Sequence, residues 1–195
     1  KTKEIVNTAS IKWEEYLYYY NFDWKEIRTL PFKITRETEL QSLQFRILNR
    51  YIACKDSLFK WGKSENNNCI ACKKRETMEH MLYECNQAEK FWTSIAELWF
   101  SCYEVFFRLS LTDVIFGIID FEQSESFKVL NYLILHGKKF IYDNHINNSI
   151  YTIQGFISYI TECLQVEKYF LTVKGKSEIF DKRWSLIYQH VVNFE

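Results

Sequence analysis

The 195-residue chain balances 25 Lys and Arg against 25 Asp and Glu and is 47% hydrophobic and 18% aromatic, enough apolar content for one packed domain with at most a small appendage, which excludes a disordered polyelectrolyte. Five Gly and one Pro give little turn punctuation and favour an all-α chain of long helices over many short strands. No apolar run reaches the roughly 18 residues that cross a bilayer, and the KTKE opening is not a signal peptide, so an intracellular, soluble chain without membrane contact is expected.

In chain order, Trp13, Tyr16, Leu17 and Tyr20 recur at the spacing of an amphipathic helix, and so do Leu40, Leu43, Ile47, Tyr51, Cys54 and Leu58. Pro31 and Thr35 to Thr38 separate the two runs. After Gly62 the loop SENNN leads into a cluster of cysteines, and Asn86 is a suitable N-cap for a helix with the stripe Ala88, Trp92, Ile95, Trp99 and Cys102. A break follows at Leu109 to Asp120, with a strand expected at Val114 to Phe116. Three more helices are marked by Phe127, Leu130, Ile134 and Ile141, by Ile153, Phe156, Ile160 and Cys163, and by Phe180, Trp184, Ile187 and Val191. The organisation expected is N-terminal helices over 1–60, a zinc-binding region over 61–100 and a helical tail over 101–195.

This pass divides the six cysteines. Cys54, Cys102 and Cys163 fall on apolar stripes, where a thiol behaves as a small hydrophobe. Cys69, Cys72 and Cys85 fall on none, and with His80 they form the pattern C-x2-C-x7-H-x4-C. Clustered cysteines in a reducing compartment indicate metal or redox chemistry. A redox C-x-x-C belongs at the end of a strand in a βαβ unit, and neither feature is present; four zinc-type ligands at zinc-finger spacing favour structural Zn2+ in a small CCHC knuckle. Thr77 is placed to cap a helix carrying His80, with Glu79 at the positive end of its dipole. His80 and Cys85 are five apart, about 140° round an ideal α-helix, so Cys85 is expected to ligate from a frayed helix end. Three thiolates and one imidazole around a dication leave a net charge of −1, which Lys73, Lys74 and Arg75 adjoin. Four protein ligands leave no open coordination position, so metal catalysis is not expected.

Although the chain is neutral, Arg46 to Arg75 holds eight cations against Asp56 and Glu65, a local charge of +6. This suits either phosphate contacts or a solvated helix face. Lys73, Lys74 and Arg75 are the first candidates for phosphates, Arg46, Arg50, Lys60 and Lys63 the next, and Trp61 is either a stacking platform or a core anchor.

The run LQFRILNR at Leu43 to Arg50, Trp61-Gly62-Lys63, Cys69, Cys72, Glu76-Thr77, His80, Cys85 and Trp92 resembles the zinc-binding region at the C-terminal end of LINE-type (non-LTR retrotransposon) reverse transcriptases. Leu130 to Tyr142 and Trp184 resemble the helical tail that follows it. The resemblance implies a module that holds template RNA or target DNA in target-primed reverse transcription, beside an upstream polymerase domain and, during integration, in the nucleus. It does not imply catalysis by these residues: no Asp-Asp pair occurs, and the one proline, Pro31, precedes Phe32 rather than the Asp of the nuclease found in some relatives. The alternative is a protein-interaction module docking through aromatics such as Tyr18, Tyr19 and Trp24.

Overall fold

A computed structural model describes residues 8–18, 21–119 and 124–192. The helices are α1 (Thr8–Leu17), α2 (Trp24–Ile34), α3 (Thr38–Leu48), α4 (Lys55–Lys60), α5 (Asn86–Tyr103), α6 (Leu111–Phe116), α7 (Glu125–Ile146), α8 (Ile153–Val173) and α9 (Ser177–Val192). A five-residue π-helical turn, His80–Glu84, lies immediately before α5. Among the described residues there is no strand, and the isolated antiparallel bridge Asn68–Arg75 is the sole β-type pairing.

Helix α7 is the axis of the molecule. Val129, Leu130, Tyr132, Leu133, Ile134 and Leu135 are consecutive or nearly so and all buried, so the helix is covered on every side. It packs against α2, α3, α5, α8, α9 and the π-turn. At its crossing with α5, a Cβ on Gly137 would stand 2.7 Å from the Trp92 ring, so the absence of a side chain sets how closely these helices approach. Helices α8 and α9 fold back on each other as a hairpin. The apolar core runs continuously from Trp13 to Val191.

Three local expectations are corrected. The Val114–Phe116 segment is helical, in α6: Ser110 Oγ accepts from Asp113 N at 3.2 Å, Ser110 N donates to the Asp113 carboxylate at 2.8 Å, and this capping box outweighs the β-propensity of Val-Ile-Phe. The stripe from Leu40 to Leu58 is not one helix, because Arg50 adopts a left-handed φ of 60° between α3 and α4. Helix α2 was not anticipated, since Pro31 sits inside it; the ring is buried with Ile27, Leu30 and Ile34, and Asp23 caps the start by accepting from Glu26 N at 2.9 Å. Tyr19 and Tyr20 lie outside the described residues.

Candidate metal centre

The residues from Asn67 to Glu76 fold into a tight knuckle. Cys69 N donates to Lys74 O at 2.7 Å, Lys73 N to Cys69 O at 2.9 Å and Glu76 N to Asn67 O at 2.8 Å. The turn needs a left-handed residue after the second cysteine, and Lys73 occupies it with φ 64°. These bonds point the thiols of Cys69 and Cys72 the same way.

The other two ligand groups come from the π-turn. Thr77 caps it as expected, accepting from His80 N at 3.1 Å, and Cys85 stands at its end as the C-cap, in extended backbone, but Asn86 is not the N-cap of α5. Cys85 itself is that N-cap, and its backbone N–H donates to His80 O at 3.0 Å, an i→i+5 bond. The wider turn puts residues five apart on one face, which removes the 140° mismatch of a regular α-helix. Tertiary contacts hold it open: Trp92 Nε1 donates to Leu82 O at 2.6 Å and Tyr83 Oη to Leu109 O at 2.9 Å.

The four ligand atoms converge. Cys69 Sγ lies 3.8 Å from Cys85 Sγ, Cys72 Sγ 3.1 Å from His80 Nε2, and all four atoms lie within 4.8 Å of one another. Tetrahedral zinc, with bonds of about 2.3 Å to sulfur and about 2.0 Å to nitrogen, sets its ligands about 3.8 Å apart (S to S) and about 3.5 Å apart (S to N). The donor set and spacing fit zinc. Cys69, His80 and Cys85 are buried and Cys72 is partly exposed, so the cluster reaches the surface on the Cys72 side.

Without metal, the pKa values of Cys69 and Cys72 are shifted in opposite directions. Burial, reinforced by neighbouring Cys85, pushes the Cys69 pKa up to about 12. For Cys72, burial acts upward but is outweighed by the Lys74 backbone N–H and by hydrogen bonds with the Cys69 and Cys85 thiols, and its pKa is lowered. Burial lowers that of His80, which favours the neutral imidazole that ligates metal. A dication stabilises the thiolates directly.

Behind the ligands lies a layer of buried carboxylates whose partners sequence reasoning did not identify. Glu76, 3% exposed, accepts from Lys55 N at 2.9 Å and lies 3.4 Å from His145 Nδ1 on α7. Glu79, 2% exposed, lies in the first turn after Thr77 and pairs with Arg50. The Glu76-Thr77 dipeptide therefore joins a carboxylate that ties the knuckle to α4 and α7 to the hydroxyl that caps the π-turn.

The basic block is not one surface. Arg50 lies over the Trp13 ring at 4.4 Å as well as on Glu79, and Arg46 lies over the Tyr142 ring at 5.7 Å. Asp56 binds Arg75 in a fork, Nε to Oδ1 at 2.7 Å and a terminal nitrogen to Oδ2 at 3.0 Å, and takes Lys60 at 2.8 Å. Those hydrogen bonds hold the Asp56 carboxyl well below its usual range. Lys63, Lys73 and Lys74 are exposed. Trp61 is 61% exposed, just before Gly62, whose φ of 66° ends α4. Cys54 is buried, and Cys102 and Cys163 pack partly buried against the core. Tyr18 is 89% exposed, whereas Trp24 packs on Phe22 and Phe116.

Residues 19–92 match the family model described as zinc-binding in reverse transcriptase. The matched segment covers a little over a third of the chain and holds all four ligands, which supports a reverse-transcriptase-associated zinc-binding domain here. No curated protein matches the chain. Among the described residues no helix is long and apolar enough to cross a membrane.

Proposed function

We propose that the chain is a non-catalytic, nucleic-acid-binding module of a LINE-type reverse transcriptase, stapled by one structural zinc and acting in the nucleus with the polymerase domain of its parent protein. The observation that carries this reading is the family match over a segment in which a four-ligand cluster fixes the exposed Lys73 and Lys74 beside the metal. A charge held on a metal-ordered turn loses little entropy when it meets a phosphate. Template RNA or target DNA would be gripped mainly through its backbone, with weak sequence preference and steep salt dependence.

Titration of zinc-loaded protein with single- and double-stranded oligonucleotides over a salt series tests this. Absence of binding at low salt would refute it. A second reading, docking on the polymerase domain, is favoured by a groove of about 390 Å³ on α5 lined by Tyr83, Trp92, Phe100 and Phe106, the last 82% exposed. Phe106→Asp should weaken association with that domain under the docking reading and leave oligonucleotide binding unchanged.

A further inference from the structure

Beside the knuckle, the segment Ile150–Ile153 lies along the N-terminal turns of α5, and a groove of about 720 Å³ opens between them. Ala71 and Cys72 form one end of it, so it begins where Lys73 and Lys74 leave the metal centre. Its walls are tied together: Gln87 Nε2 donates to Tyr151 O at 3.1 Å, and Phe91 meets Tyr151 edge-on with ring centroids 5.4 Å apart.

The lining has a definite character. Among the described residues, Lys90, exposed on α5, is its one charged side chain. Asn86, Ser94 and Thr152 add hydrogen-bonding groups, and Ile150, 76% exposed, forms an apolar rim. The acids of the same stretch of helix, Glu89 and Glu97, line the separate groove that holds Phe106, together with Arg108. Helix α5 therefore separates a cationic groove next to the knuckle from an acid-bearing one.

Resting on the reading that the module binds nucleic acid, we infer that this groove is the path of a single strand leaving the zinc knuckle. Lys73, Lys74 and Lys90 take its phosphates, and Ile150 with the partly exposed Tyr151 meets its bases. A duplex keeps its base faces stacked and offers this apolar rim nothing, which is why the proposed occupant is a single strand.

The test uses the zinc-loaded full chain and a labelled oligouridylate of about 12 nucleotides, within the range of single-strand site sizes. Lys90→Ala should reduce the slope of log affinity against log salt by about 0.7. Ile150→Ala should weaken binding roughly three- to tenfold at every salt concentration with the slope unchanged, as expected for losing burial of about 25–50 Å² of apolar surface. A duplex of equal length should not respond to Ile150→Ala. If Lys73→Ala and Lys74→Ala lower the slope while Lys90→Ala and Ile150→Ala match the parent, the groove assignment is overturned and the nucleic-acid reading survives. If the parent does not bind the oligomer at low salt, both fall.

Discussion

Cys85 donates its backbone N–H to the carbonyl of His80, five residues back, at 3.0 Å, and their side chains reach one metal centre from the same side of that turn. The π-turn is what makes H-x4-C usable as a ligand pair. Insertion of one Ala between Glu84 and Cys85 should rotate the Cys85 thiol away by about 100° if the helix absorbs it regularly. Stoichiometric zinc should be lost while far-UV helicity is nearly retained, measured by metal analysis and circular dichroism. Full zinc in this variant would mean that the turn does not set the ligand geometry.

Lys73 adopts a left-handed conformation, which costs a non-glycine residue roughly 1–2 kcal/mol. Lys73→Gly should therefore raise the chelator concentration at which zinc is removed, corresponding to about 1 kcal/mol of added stability, and at the same time weaken oligonucleotide binding. The two readouts move in opposite directions, so a general loss of folding cannot imitate the result.

Arg75 and Lys73 are neighbours in sequence but not in charge environment. Asp56 already occupies the Arg75 fork, whereas Lys73 is exposed. Lys73→Ala should lower the salt slope of nucleic-acid binding by about 0.7 to 0.9, depending on strandedness, and Arg75→Ala by distinctly less. Equal slopes for the two variants would show that Asp56 yields its arginine to the ligand.

Burial brings the pKa of Lys138 down to about 7; its ammonium nitrogen is held by Gln44 Oε1 and, at 3.4 Å, by the Ile115 carbonyl. In the unfolded chain the pKa is about 10.4. Between these values the unfolded state carries a proton that the folded state lacks, so stability should rise with pH from about 7 to about 10, by up to about 1.4 kcal/mol per unit. Below pH 7 both states are protonated and this contribution is flat. Urea unfolding of the parent and of Lys138→Met at several pH values checks it: the difference between them should change across that window, and parallel profiles would contradict it.

The candidate metal ligands were legible in the sequence because cysteine and histidine spacing is local information. The helices α5, α7, α8 and α9 were legible because their stripes are long. The π-turn was not, since a 3.6-residue period has no place for it and the bonds from Trp92 and Tyr83 that hold it come from residues 10 and 26 positions away from their acceptors. Pairing of the basic residues was hidden for the same reason: Arg50 meets Glu79 at a separation of 29 and Arg75 meets Asp56 at 19. Nothing local in the sequence marks Lys138, which is buried and met by Gln44 of α3 and the Ile115 carbonyl of α6.

The central claim, that Cys69, Cys72, His80 and Cys85 hold one structural zinc, is tested most directly by metal analysis of purified protein combined with hydrogen exchange before and after chelation. The account predicts one zinc per chain. Chelation should remove protection over 69–85 and leave α7, α8 and α9 protected, because the knuckle depends on metal binding worth on the order of 10 kcal/mol and the core does not. Less than about half an equivalent of zinc in protein made with zinc present, or unchanged protection over 69–85 after the metal is removed, would contradict it.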